Sequence, residues 1–301
     1  MAPDAGLPQT SPTFAGLPSS ATDVSAARFV VLPIPYEATT EWICGTRQAP
    51  AEIIECSRLL ELYDHELDID TSRAGIATVE ELPPVLSGPE RMVAAVKEHV
   101  GHWLDRNKLP ILLGGEHTIT IGAAAAAAER IGDLSVLQLD AHSDLRDSYM
   151  GARWGQATVM RRIYEICPSI AAMGIRSLSA EEQDFIRDNR VPVVFWPPED
   201  ANWHAPLVER LKENVYITID ADVFDPGVLP WVGTPEPGGP GWWDILALLR
   251  EVAYNRNVVG VDVVEFSPYG PGAAASAYTL AKLVYRLVGY LTITRTGGNQ
   301  R

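Results

Sequence analysis

The chain has 301 residues, 47% of them hydrophobic, with 24 basic against 39 acidic residues for a formal charge of −15. That is enough apolar side chain for a deep core, while no run nears the ~18 apolar residues of a membrane span. The negative balance opposes phosphate backbones and anionic lipid and favours cationic small molecules, so neither nucleic acid nor membrane is an expected partner.

Residues 1–27 contain no Lys or Arg and are rich in Pro, Ser, Thr and Ala. We read them as an N-terminal arm suited to packing on a neighbouring subunit, with no targeting pattern. Residues 28–301 read as a single domain in which short β-branched runs alternate with helical patterns. Phe29–Pro33 and Gly75–Val79 are strands. Pro89–Arg106 is a helix whose Met92, Val93, Val96, Val100, Trp103 and Leu104 form one stripe. After the strand Ile111–Gly114 comes a helix at Ile119–Ile131, with six consecutive alanines suited to close packing on a sheet. Val136–Asp140, Ile170–Gly174, Val191–Trp196 and Tyr216–Asp220 are further strands. The Pro/Gly-rich Asp225–Trp243 is a loop placed to wall a site. Helix Trp242–Ala253, strand Val258–Asp262 and helix Ala273–Leu291 close the chain. Most strands are continuous apolar runs, as covering on both faces demands. The alternation predicts an α/β fold with a central, mostly parallel eight-stranded sheet between helices. Cys44, Cys56 and Cys167 are too few for a disulfide framework, and a reducing, cytoplasmic setting is expected.

Four strand ends carry chemistry: ILLGGEH at 111–117, VLQLDAHSD at 136–144, YITIDADVFD at 216–225 and VVGVDVVE at 258–265. An open α/β sheet binds ligands beyond the carboxyl ends of its strands, so these groups are expected to converge. Singly, each is also what a turn or a structural hydrogen bond would use. Together, acids and imidazoles terminating apolar strands carry a desolvation cost that a cation offsets. Two imidazoles and four Asp carboxylates, without thiolate, suit a hard or borderline ion such as Mn²⁺. Four carboxylates suggest two ions.

GGEHT at 114–118, DAHSD at 140–144, the D-x-D-x-x-DP of Asp220–Pro226, GTPEPGG at 233–239 and VVEFSP at 263–268 resemble the ureohydrolase (arginase/agmatinase) family, most of all the agmatinases. The resemblance implies a three-layer α/β/α fold and two Mn²⁺ per subunit: His117 and Asp144 on one ion, His142 and Asp222 on the other, Asp140 and Asp220 bridging. It further implies that bridging hydroxide attacks the guanidinium carbon held by Glu265, converting agmatine to urea and putrescine in polyamine biosynthesis. A homotrimer or homohexamer follows from the same resemblance. Arginases read the α-carboxylate and α-amino group of their substrate with an Asn/Ser-bearing loop after DAHxD. Residues 145–154, LRDSYMGARW, have no comparable Asn. Arg146 or Arg153 would be the residue to receive a carboxylate, but ion pairing is the reading we prefer for one or both.

One position departs from the pattern. Where agmatinase-like sequences have Ser-His, with the His passing a proton to the leaving amine, this chain has Gly155-Gln156. An amide binds substrate but cannot titrate, and losing a general acid costs ~10²–10⁴ in rate. Three outcomes are open. One is a slow agmatinase in which Asp144 or water moves the proton. Another is a hydrolase of a different guanidino compound, such as guanidinobutyrate or arginine. The third is a non-catalytic metal-binding homologue.

Overall fold

A computed structural model describes residues 12–18 and 23–296. In chain order the strands are β1 (Phe29–Ile34), the short antiparallel pair β2 (Tyr63–Asp64) and β3 (Ile69–Asp70), β4 (Ile76–Thr78), β5 (Leu109–Gly114), β6 (Leu134–Leu139), β7 (Ile170–Ile175), β8 (Val193–Phe195), β9 (Asn214–Asp220) and β10 (Asn257–Val264). Eight of them form one sheet in the order β4-β1-β5-β10-β9-β6-β7-β8. Every pairing within it is parallel. All eight strand runs read from the sequence are therefore in the sheet.

Helices cover both faces: α1 (Ala49–Ser57), α2 (Pro89–Leu104), α3 (Ile119–Ile131), α4 (Val159–Ile166), α5 (Ala180–Asn189), α6 (His204–Glu209), α7 (Trp242–Asn255) and α8 (Ala273–Thr296). Alternate strand residues point to opposite layers. Phe29 and Val31 pack in a core shared with α1, α6, α7 and α8, whereas Val30 and Leu32 pack in one shared with α2, α3, α4 and α5. The alanine run of α3 lets α2 come so close that a Cβ at Gly122 would meet the Val93 carbonyl oxygen at 2.4 Å. No helix among the described residues is long and apolar enough to cross a membrane.

The expected arm falls partly outside the described residues, at 1–11 and 19–22, as do residues 297–301 of the expected domain. Its described part lies on the chain's own core. Phe14, Ala15 and Leu17 are buried; the Phe14 N–H donates to Thr78 Oγ1 at 2.9 Å and the Ala15 N–H to Ser57 Oγ at 2.8 Å.

Two features of this topology position the site. First, β5 and β6 follow each other in sequence but are separated in the sheet by β10 and β9. A crevice forms where strand order reverses in this way. The four strands there are the four whose ends carry the polar motifs. Second, the loop after β9 is held at both ends. The Asp225 carboxylate accepts the N–H groups of Gly227, Gly238 and Gly239. The Arg176 guanidinium, just past β7, donates to six carbonyls, those of Gly174, Asp222, Val223, Phe224, Glu236 and Pro237.

Candidate metal centre and its cavity

The two Asp-Ala-x motifs fold alike. At the end of β6, Asp140 Oδ1 accepts the His142 N–H at 2.6 Å; at the end of β9, Asp220 Oδ1 accepts the Asp222 N–H at 2.9 Å. This Asx-type turn occupies one carboxylate oxygen with backbone and turns the other, Oδ2, toward His117 Nδ1, at 3.4 Å from Asp140 and 3.3 Å from Asp220. It also explains the spacing, because the residue two positions on is swung to the same point. Asp144 and Glu265 complete the set from left-handed backbone, φ 52° and 60°, a conformation costly for non-glycine residues and frequent at functional positions.

His117 enters from β5. A Cβ at the preceding Gly115 would lie 2.0 Å from the Tyr36 carbonyl oxygen, so only glycine lets the chain pass to the imidazole. His117 Nδ1 stands 3.1 Å from Asp144 Oδ2, 3.3 Å from Asp220 Oδ2 and 3.4 Å from Asp140 Oδ2. His142 Nδ1 stands 3.0 Å from Asp222 Oδ2 and 3.8 Å from Asp140 Oδ1. Two groups of potential ligands result, His117–Asp140–Asp220 and Asp140–His142–Asp222, with Asp140 in both.

The donor set fits two cations. His117 is fully buried, yet its Nδ1 makes no hydrogen bond. Its Nε2 lies 2.9 Å from Thr218 Oγ1, and that hydroxyl gives its own proton to Asp262 Oδ1 at 2.6 Å. Thr218 must therefore accept from Nε2–H, which turns Nδ1, the nitrogen that would ligate a cation in place of its proton, among three carboxylates. Thr218 and Asp262 are cross-strand partners on β9 and β10.

The electrostatics agree. Burial pushes Asp140 and Asp220 well above the usual carboxylate range, reinforced by the neighbouring aspartates, and Asp144 is raised by burial as well. Burial alone would lower the imidazoles, but the carboxylates hold His117 up at about 10 and His142 at about 9. Asp222 is the exception: burial opposes it, yet His142 and the Ala141 N–H hold it at about 2. The cluster carries more negative charge than its surroundings neutralise, and protons gather where larger cations would sit.

A cavity of ≈ 270 Å³ opens on this cluster. His117, His142, Asp144, Asp220, Asp222, Glu265 and Gln156 all line it; Asp140 has no exposed surface and does not reach it. Glu265 accepts the His117 N–H at 2.6 Å, and burial with the nearby Glu116 charge pushes its carboxyl up to about 8. Arg146 also lines the cavity but is engaged by Glu182 at 3.5 Å and lies over the Tyr149 ring. Arg153 is not a lining residue and pairs with Asp147 and Glu165.

Several residues of the site were not singled out from sequence. Glu41 and Tyr149 line the cavity from loops that carry no motif. Glu116 lies inside GGEHT and is wholly buried; it accepts the N–H groups of Ala38 and Thr39 at 2.5 and 2.6 Å and the Thr39 hydroxyl at 2.9 Å. Thr218 and Asp262 did leave a signal, a polar residue inside an otherwise apolar strand.

Comparison with known proteins matches residues 27–289 to the model of the arginase family. The chain is 38% identical over 280 residues to an N(1)-aminopropylagmatine ureohydrolase of Synechocystis sp., covering 89% of this chain and 90% of that protein. It is 34% identical over 268 residues to an agmatinase of Pyrococcus horikoshii, covering 89% and 93%. The crystal structure of an agmatine ureohydrolase of Thermoplasma volcanium superposes with a TM-score of 0.84 at 31% identity, covering 93% of this chain and 95% of that one.

Proposed function

The chain belongs to the arginase family and is a hydrolase of amidine C–N bonds, and within that class we propose that it cleaves agmatine to urea and putrescine. The observation that carries this reading is the pair of ligand groups sharing Asp140 beneath a cavity that also holds Glu265. We assign two Mn²⁺ per subunit, one to His117 and Asp144, the other to His142 and Asp222, with Asp140 and Asp220 shared. Bound there, the ions would neutralise the clustered carboxylates and acidify a water enough to make it a nucleophile near neutral pH. A cytoplasmic homo-oligomer is the form we propose.

The protein groups then have distinct tasks. Glu265, buried, is placed to hold the guanidinium by charge-assisted hydrogen bonds, and the incoming cation offsets the burial that raises its carboxyl. In the reaction the water oxygen bonds to the guanidinium carbon, the bond from that carbon to the alkyl nitrogen breaks, and a proton reaches the departing nitrogen. Urea and an alkylammonium result. Asp144, whose pKa burial raises, is the lining carboxylate suited to hold the water's proton in transit. Gln156 is suited to orient the departing nitrogen and does not exchange protons with it.

The relative at 38% identity supports a second substrate, N(1)-aminopropylagmatine, in which the same guanidino group carries a longer polyamine. The test is urea release by Mn²⁺-loaded protein from agmatine, N(1)-aminopropylagmatine, arginine and 4-guanidinobutyrate. Release is expected from the two compounds that lack a carboxylate. Stoichiometric metal with no urea from any of the four would sink the proposal.

A further inference from the structure

The catalytic cavity does not end at Gln156. A second cavity of ≈ 480 Å³ adjoins it and shares Glu41, Tyr149, Gln156 and Ala157 with it. Among the described residues Glu41 is the one charged residue lining this outer cavity, and it makes no ion pair with any of them. A carboxylate alone in a neutral groove, continuous with a site for a cationic head group, has the chemistry to take a second cation.

Glu41 is also held in place. The Tyr149 hydroxyl donates to Glu41 Oε2 at 2.9 Å, and Oε1 has no hydrogen bond among the described residues. The Tyr149 ring carries the Arg146 guanidinium 4.6 Å from its centroid, and the Tyr149 backbone exchanges hydrogen bonds with Ala152 in both directions. On the other side, buried Glu116 pins the backbone of Ala38 and Thr39, three and two residues before Glu41. Thr39 Oγ1 then accepts the Gln156 N–H at 3.1 Å, tying this wall to the catalytic cavity.

We propose that Glu41 is a specificity-determining residue: its free carboxylate oxygen receives the far ammonium of a guanidino substrate that carries a further amine beyond a diamine chain. The site thereby selects triamine-length cations over diamine-length ones. The inference rests on the guanidino-hydrolase reading for which end of the substrate lies inward, but its test reads binding and does not need turnover.

Spermidine, a triamine, and putrescine, the diamine it extends, are titrated calorimetrically into Mn²⁺-loaded wild type, Glu41→Gln, Tyr149→Phe and, as a control of equal charge change on the exposed first turn of α2, Glu90→Gln. Spermidine is expected to bind wild type tighter than putrescine. Glu41→Gln is expected to weaken spermidine about tenfold, the size of one charge-assisted hydrogen bond in a partly wet site, while changing putrescine less than twofold. Tyr149→Phe should act in the same sense and more weakly, and it carries the test if Glu41→Gln does not fold. Glu90→Gln should change nothing. Equal binding of the two amines by wild type, or a Glu41→Gln effect that is equal for both, overturns the proposal. Absence of urea in the separate turnover assay counts against the reaction assigned above and leaves this result standing.

Discussion

Gln156 is the residue on which the rate of the proposed reaction turns. It lines the cavity beside Asp144 and Glu265, and in the proposed reaction the amide stands where a proton donor would serve the departing nitrogen. Without a titrating group there, the departing nitrogen depends on water or Asp144 for its proton. We therefore expect slow agmatine hydrolysis by the wild type and a rise in kcat of about 10²-fold in Gln156→His, at the lower end of what a positioned acid contributes. The pH–rate profile of the variant should gain a limb that wild type lacks. A wild-type kcat that is already high, unmoved by the histidine, would show that proton delivery lies elsewhere. Gln156 stood out in the sequence because a motif set a type of residue for its place. Glu41 and Tyr149 did not, since loop residues are positioned by contacts such as Glu116 to Ala38 and Thr39 that bridge 77 or 78 positions.

Among the elements, the wall after β9 depends on two side chains, Asp225 and Arg176. Residues 225–241 contain five prolines and five glycines, too little side chain to form a core of their own, and Arg176 gathers the Glu236 and Pro237 carbonyls instead. A lysine would keep the charge but has no planar fork able to reach carbonyls on both sides. Arg176→Lys should therefore speed amide exchange across residues 236–239, lower stability by ~1–3 kcal/mol and raise KM through displaced Thr234, which lines the cavity. Unchanged exchange in this loop would mean that Asp225 alone suffices to order it. The sheet was legible because most of its strands are continuous apolar runs covered on both faces. Helices α1, α4, α5 and α6 were not read from the sequence, being six to ten residues long, too short for a stripe to repeat. The α5 start did carry a signal, Ser179 and Glu182, which form a reciprocal cap in the structure.

At the scale of the whole molecule, the centre of the sheet is built around charge that the protein does not neutralise. Asp140, Asp144, Asp220 and Glu265 are all held above their ordinary pKa values by burial, so the folded chain is strained there unless cations are present. Ions that bind the folded state alone stabilise it by mass action, about 2.7 kcal/mol at a hundredfold excess over Kd. For a chain of this size that corresponds to a Tm rise of roughly 5 °C or more, lost on chelation. Asp220→Asn tests whether the strain itself, rather than some other effect of the ions, is the cause. The amide oxygen can still accept the Asp222 N–H, while the substitution removes one of the buried carboxylates crowded around His117 Nδ1, the one 3.3 Å away. The variant should thus melt above chelated wild type, show a much smaller Tm response to Mn²⁺ and release little urea. If it melts below chelated wild type, the buried charge is not what destabilises the metal-free fold; if it melts higher and loses activity, the stability surrendered at this centre is the cost of holding the ligands that the reaction uses.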